Sequence, residues 1–105
     1  MFPLKQSMAL DEVQRYVAEM EEERGFNHCD VVQQCLQLGE EVGELFKAVR
    51  KYKKMRIGTT SVIGAIDEEI ADVLIFLCAI ANRLEISIED ALRKKKALNE
   101  TRTWK

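Results

Sequence analysis

Apolar residues recur every three or four positions through four stretches of this chain, and no stretch shows the strict alternation of a half-buried strand. Such spacing places apolar side chains on one face of a helix, so it predicts four helices and no sheet. The predicted helices cover residues 7–24, 29–54, 64–84 and 87 onward, with a loop at 55–62. Ser7 is expected to cap the first helix, which Gly25 ends. Ser87 and Asp90 form a capping-box pattern that opens the fourth helix.

The first three helices each carry an apolar stripe, which we expect to be the buried face. The stripe consists of Leu10, Val13, Tyr16, Val17 and Met20 on the first helix, of Val31, Leu38, Val42, Leu45 and Val49 on the second, and of Ile63, Ile66, Ile70, Val73, Leu74, Leu77 and Ala81 on the third. The third helix is apolar on nearly every side in its second half, so it requires partners on more than one side. Ile75, Phe76 and Ile80 lie outside its stripe. We expect these three to be buried against another subunit, in a homodimer or homotetramer.

Paired carboxylates edge the apolar stripes of both central helices. The motifs are Glu40-Glu41-x-x-Glu44 on the second helix and Glu68-Glu69-x-x-Asp72 on the third. On helical wheels, Glu41, Glu44, Glu69 and Asp72 flank the stripes, whereas Glu40 and Glu68 point away. A single helical glutamate is usually solvated, but four acids beside two packed stripes would repel one another without a cation between them. The pattern therefore predicts a site for a hard divalent cation, and Mg²⁺ with its oxygen ligands fits it.

Length and composition limit the classes of protein and of function. The 105 residues form one predicted domain, 47% of the residues are hydrophobic, and a net charge of -2 is atypical of nucleic-acid binding. The chain lacks the apolar run of about 20 residues that a membrane span requires, and its start lacks the apolar core of a signal peptide, so we expect a cytoplasmic protein with no membrane partner. The three cysteines form no CxxC pair, and Cys35 and Cys78 are expected to be small buried residues.

The fourth helix begins with an apolar stripe that becomes polar. Ile88 and Leu92 start it, and the same face continues with Lys95, Asn99 and Arg102. Lysine and arginine on one helical face are able to bind phosphate. The spacing equally fits a basic helix end that lies in solvent and complements the helix dipole, so it leaves both interpretations open.

The two acidic motifs resemble the signature of the MazG-like, all-α nucleoside triphosphate pyrophosphohydrolases. The similarity covers about residues 26–102. Its further marks are Leu45 after the first motif, Val73-Leu74 after the second, Ile86-Ser87-Ile88-Glu89-Asp90-Ala91 at the start of the last helix, and Lys95-x-x-x-Asn99-x-x-Arg102 within it. That superfamily includes dimeric dUTPases, dCTP pyrophosphatases and the phosphoribosyl-ATP pyrophosphohydrolases of histidine synthesis.

The resemblance implies an all-α, four-helix, bundle-like domain over residues 1–105 that is an obligate oligomer. It implies Mg²⁺-dependent hydrolysis of a nucleoside triphosphate, a deoxynucleotide or a non-canonical one, to the monophosphate and pyrophosphate, with Mn²⁺ as a substitute metal. The implied roles are metal binding for Glu41, Glu44, Glu69 and Asp72, and contact with phosphate or nucleotide for Lys95, Asn99 and Arg102. Glu40 matches an acid that reaches an additional metal or the attacking water, and either Glu40 or Glu41 is the expected general base.

A function from another class fits part of the same pattern. In a non-catalytic helical interaction module the acids would be solvated or salt-bridged, and the apolar third helix would serve only association. Such a module predicts neither a Mg²⁺-dependent rise in melting temperature nor release of pyrophosphate from nucleotides.

Overall fold

A computed structural model describes residues 4–55 and 63–102 of the chain. These residues form four helices, namely α1 (Leu10–Arg24), α2 (Val31–Tyr52), α3 (Ile66–Arg83) and α4 (Ile88–Glu100). No strand occurs within the described ranges, which confirms the predicted all-α class. The predicted loop motif at 58–61 lies outside them. No described helix combines the length and the apolar character that crossing a membrane requires.

Local side-chain chemistry explains where α2 begins and where α1 ends. The Asp30 carboxylate accepts from the Gln33 backbone N–H at 2.8 Å, and the Gln33 side-chain oxygen accepts from the Asp30 N–H at 2.8 Å. This reciprocal box satisfies two N–H groups that the helix start would leave unpaired. Gly25 ends α1 with φ of 74°, a conformation that glycine adopts without steric cost.

The predicted start of α1 at Ser7 is wrong. The helix begins at Leu10, with Ala9 in the extended conformation at the N-cap. The Glu12 carboxylate accepts from the Ala9 N–H at 3.1 Å and from the Lys5 ammonium at 2.9 Å, so this third residue of the helix satisfies the N–H of the N-cap residue, as in one half of a capping box. The hydrogen bond from Lys5 is the main cause that lowers the pKa of Glu12.

Helix α3 is the centre of the fold, because both α1 and α2 pack against it. Val17 of α1 and Cys78 and Ala79 of α3 are buried together, and Ile75 is among the half-buried residues around them. The expected burial of Cys78 is confirmed, and this burial raises the pKa of its thiol. The expected burial of Cys35 is wrong, because its position on α2 is exposed in the chain.

A glutamine on α1 holds the turn between α3 and α4. Its amide nitrogen donates to Asn82 Oδ1 at 3.0 Å and to the Ile86 carbonyl at 2.9 Å, and its oxygen accepts from the Ile88 N–H at 2.8 Å. This residue, Gln14, is 8% exposed. Ile88 is the first residue of α4, so its N–H has no partner within the helix, and the hydrogen bond to Gln14 satisfies it.

A buried ion pair holds α1 to the end of α3. Arg83 donates from its two terminal nitrogens to the two Glu21 oxygens at 3.0 and 2.6 Å. The same guanidinium donates to the carbonyls of Cys29 at 2.6 Å, Ala79 at 2.9 Å and Phe26 at 3.1 Å. The pair thus fixes the turn that leads from α1 into α2.

The predicted inner face of α3 is confirmed at Ala81, which is buried, but it is wrong for the largest apolar residues of the stripe. Ile70, Leu74 and Leu77, which were assigned to the core of the chain, are 54%, 41% and 44% exposed. Ile75 and Phe76, which were assigned to a subunit contact, lie inside: Ile75 packs on the core and Phe76 lines a cavity between the helices. The reason is that α3 turns its acid-bearing face, and not its most apolar face, toward α2.

Candidate active site

Three carboxylates from α2 and α3 meet where the two helices pack. Glu41, Glu69 and Asp72 each offer one oxygen, and these oxygens all lie within 4.8 Å of one another. Glu69 is buried, and the other two are half-buried. We call these three residues the acid cluster. The cluster joins both motifs found in the sequence, one on α2 and one on α3.

Glu41 occupies the middle of the packed face of α2 and not its edge. The two buried residues of this helix are Gln34 and Ala48, seven positions before and seven positions after Glu41. Seven residues are close to two helical turns, so the three side chains form one row. The expectation that the acids flank an apolar stripe is therefore wrong for α2, because the acid lies within the face that contacts α3.

Glu69 is the most enclosed member of the cluster. It is 8% exposed, and its Oε2 is buried without a hydrogen-bond partner among the described residues. Burial raises the pKa of Glu69, and the negative charges of Asp72 and Glu41 raise it further. A buried carboxylate oxygen that lacks a partner beside two other acids is an unfavourable arrangement unless a cation joins it.

Gly64 leaves the space that Glu69 occupies. A β-carbon on Gly64 would overlap Glu69 Oε1. The overlap would be with the carboxylate of a buried side chain, so a larger residue at 64 would displace an oxygen of the cluster. Sequence reasoning assigned Gly64 no role beyond the start of the third helix.

The remaining acids of the first motif lie next to the cluster. Glu44 is half-buried and accepts from Lys47 at 3.5 Å, and its charge also raises the pKa of Glu69. Glu40 is exposed. The Gln37 amide donates to Glu40 Oε2 at 3.3 Å and to Glu41 Oε1 at 3.4 Å, so it links Glu40 to the cluster.

Two of the candidate substrate residues, Lys95 and Asn99, lie on α4, which packs against α1, and Arg102 lies just beyond the end of that helix. Lys95 and Arg102 are exposed, and Asn99 is half-buried. The amide oxygen of Asn99 is buried and has no hydrogen-bond partner among the described residues. The acid cluster, in contrast, lies between α2 and α3, so a single chain does not bring the two sets of residues into one group.

A cavity of about 550 Å³ adjoins the cluster between α1, α2 and α3. Asp72 and Gln37 form part of its wall on the cluster side, and Gln34, Met20 and Phe76 form other parts of it. The sequence did not reveal Gln34 or Gln37 as candidates. Their signal was present, since both share a helical face with Glu41, but glutamines near a helix start are usually solvated.

The donor set of the cluster fits a hard divalent cation. All three residues offer carboxylate oxygens, and no sulfur or imidazole ligand is among them. Mg²⁺ prefers such ligands and retains several waters, so it needs only a few groups from the protein. The buried, unpartnered Glu69 Oε2 is the observation from this chain that supports the fit.

Comparison with known proteins agrees with this geometry. The profile of the MazG nucleotide pyrophosphohydrolase domain matches residues 33–103. The protein YpjD of Bacillus subtilis (strain 168), which is uncharacterized, is 35% identical over 81 residues, or 76% of this chain and 69% of YpjD.

Solved structures of the same kind resemble the fold. iMazG from Vibrio DAT 722 superimposes with a TM-score of 0.68 at 31% identity, over 90% of this chain and all of the iMazG chain. The structure of YpjD superimposes with a TM-score of 0.59 at 29% identity, over 98% of this chain and all of the YpjD chain. The matched region includes both acidic motifs and nearly all of α2, together with α3 and α4. The chain therefore belongs to the MazG nucleotide pyrophosphohydrolase family.

Proposed function

We propose that the protein hydrolyses a nucleoside triphosphate to the monophosphate and pyrophosphate, with Mg²⁺ as its cofactor and Mn²⁺ as a substitute. The observation that carries the proposal is the acid cluster with its buried, unpartnered Glu69 oxygen. Carboxylates that repel one another are unfavourable in a purely structural role. Membership of the MazG family supports the reaction type.

Glu41, Glu69 and Asp72 would hold the metal. Glu44, whose charge also raises the pKa of Glu69, is the fourth proposed ligand. When bound, Mg²⁺ neutralises the triphosphate, polarises the α-phosphate and lowers the pKa of water. The arrangement explains how a polyanionic substrate could approach a site that is itself negative.

The bond changes of the reaction are simple. The oxygen of a water molecule forms a bond to the α-phosphorus, and the bond from that phosphorus to the oxygen that bridges to the β-phosphorus breaks, so pyrophosphate leaves. Glu40 accepts the proton of the water in this proposal, because Glu41 would be a metal ligand. Glu40 is next to the cluster, since the Gln37 amide donates to both Glu40 and Glu41. Lys95 and Arg102 would donate to phosphate oxygens, and Asn99 would offer its amide to the nucleotide.

We further propose that the working form is a homodimer or homotetramer. Large apolar side chains of both central helices are exposed in one chain, including Phe46 at 60% and Ile70 at 54%. Apolar surface of this kind is typical of a subunit contact. Sedimentation at micromolar concentration should show a dimer or tetramer, whereas a monomer would contradict the proposal.

A product assay tests the reaction. The purified protein is incubated with Mg²⁺ and a panel of canonical, oxidised and methylated triphosphates, and both products are quantified. We expect equal amounts of monophosphate and pyrophosphate from at least one substrate, and loss of both products in Glu41→Gln. Glu68→Gln is the matched control, because it removes an exposed acid of the same motif pair that lies outside the cluster.

Two results would contradict the proposal. Release of inorganic phosphate in place of pyrophosphate would place the attack at a different phosphorus. A complete absence of turnover, together with a melting temperature that Mg²⁺ does not raise, would favour the non-catalytic interaction module.

A further inference from the structure

The cavity between α1, α2 and α3 shares a residue with the acid cluster. Asp72 belongs to both, and Met20, Ile75 and Phe76 give the cavity apolar surface. Its volume of about 550 Å³ is in the range, roughly 300 to 1,000 Å³, of sites that bind small organic molecules. A ligand with its charged end at the cluster would therefore have room for a second group in the cavity.

Gln34 lines this cavity, and its amide has no hydrogen-bond partner among the described residues. The residue is only 6% exposed. A primary amide carries two N–H donors and a carbonyl acceptor, and in Gln34 none of them is used by another described residue. The amide is therefore free to bond a ligand group that offers both an acceptor and a donor.

Three other polar side chains on the wall, Glu21, Gln33 and Gln37, already have partners within the protein. Both oxygens of Glu21 accept from Arg83, so its charge is compensated. The Gln37 amide donates to Glu40 and Glu41. The Gln33 oxygen accepts from the backbone at the start of α2. These contacts distinguish Gln34, whose amide is enclosed to the same degree as Glu21 but is not used by the fold.

We propose that the cavity holds the nucleobase of the substrate and that Gln34 determines the base preference through hydrogen bonds to the base edge. The inference rests on the proposed function, since it takes the phosphates to lie at the acid cluster. A nucleobase is flat and apolar on its faces, which suits the surface of Met20, Ile75 and Phe76. A base edge carries an adjacent donor and acceptor, and glutamine pairs with adenine in this way through N6 and N7.

Two cysteines allow the binding to be measured without turnover. Cys29 is half-buried on the cavity wall, whereas Cys35 is exposed on α2 and is not part of that wall. The rate at which each thiol reacts with iodoacetamide is followed by mass spectrometry, with Mg²⁺ and the α,β-imido triphosphates of the four common bases. These analogues resist cleavage at the proposed bond. We expect the preferred base to slow the alkylation of Cys29 at least about 10-fold, while Cys35 reacts at an unchanged rate.

The variant Gln34→Met removes the amide and nearly keeps the side-chain volume, so it should fold, which a thermal melt checks. We expect it to lose the base-dependent protection of Cys29. In the hydrolysis assay it should also reduce the ratio of kcat/KM between the best and the worst base at least about 10-fold, because that ratio reports discrimination and not general damage. Gln6→Met, the same change at an exposed position before α1, is the control.

Three outcomes would overturn the inference. In the first, the analogues protect Cys29 equally in the wild type and in Gln34→Met. In the second, no analogue changes the rate of Cys29 alkylation. In the third, the wild-type enzyme hydrolyses the triphosphates of all four bases with the same kcat/KM. A different result separates the two proposals. If no triphosphate is hydrolysed but Gln34→Met abolishes the protection of Cys29, the proposed reaction is wrong and the assignment of the cavity stands.

Discussion

Helix α3 buries polar groups at both of its ends, and the two ends differ in how the charges are compensated. Toward its C-terminal end, Arg83 meets Glu21 and three backbone carbonyls, so every buried charge has a partner. Toward its N-terminal end, Glu69 and Asp72 meet Glu41, so charges of one sign converge. The first arrangement holds helices together without any ligand. The second is unfavourable without a cation, which is why we propose it as the functional end of the helix.

The largest expected effect is on the compensated end. Arg83→Met should lower the free energy of unfolding by about 3 to 5 kcal/mol, because Glu21 would be left as a buried charge without a partner. Urea unfolding measures the change. Arg93→Met, which breaks an exposed pair with Glu89, should cost no more than about 0.5 kcal/mol.

A double variant sharpens this first prediction. Arg83→Met combined with Glu21→Leu removes the unpaired charge, so it should recover part of the lost stability. It should not recover all of it, because the carbonyls of Cys29, Phe26 and Ala79 would still lack the donor that Arg83 supplies. If Arg83→Met alone unfolds as the wild type does, the description of this end of α3 as a structural clamp is wrong.

The second prediction is that a substitution in the acid cluster lowers activity without lowering stability. Asp72→Asn should reduce hydrolysis at least about 100-fold, or roughly 2.7 kcal/mol of transition-state stabilisation, while the metal-free protein melts at the same or a higher temperature. The reason is that the change removes a cation ligand and relieves repulsion in one step. More than about a tenth of the wild-type activity would contradict a direct role for Asp72 as a ligand.

A third prediction concerns positive charge that reaches the substrate from outside the cluster. Lys95→Ala or Arg102→Ala should lower kcat/KM about 10- to 100-fold, the expected loss for a charge-assisted hydrogen bond to phosphate. Binding of Mg²⁺ to the free protein, followed by calorimetry, should not weaken, because lysine and arginine offer only donors. Lys94→Ala serves as the neighbouring control, and unaltered kinetics in both test variants would identify the end of α4 as a solvated basic segment.

The smallest effect is the pH dependence of stability in the absence of metal. The folded state raises the pKa of Glu69, so between the ordinary value of 4.5 and the raised value it binds more protons than the unfolded state does. Stability should therefore fall as the pH rises through that window. Glu69→Gln should melt above the wild type at pH 7 in EDTA, and the difference should shrink toward zero below about pH 4.5. A difference that does not change with pH would assign the effect to packing and not to charge.

The sequence alone determined the helices and their ends to within a few residues, because caps and periodicity act locally. Asp30, Gly25 and Ser87 each satisfy or terminate backbone groups within a few positions of themselves. The sequence also selected Glu41, Glu69 and Asp72, since i,i+3 spacing and like charge are visible without a fold. Family resemblance indicated the same residues.

The predicted buried stripe of α1 is confirmed at Val17 and Met20, but only the tertiary structure decided which faces of α2 and α3 are buried. Helical periodicity predicts that the most apolar face of a helix is buried. Because α3 is apolar on most sides, periodicity does not distinguish its buried face from the others. The packing instead places the faces that carry Glu41, Glu69 and Asp72 together and leaves the most apolar residues exposed. The surroundings of Gln34, Gln14 and Arg83 could not be predicted either. Each depends on residues of another helix, and the spacing of residues within one helix does not indicate them.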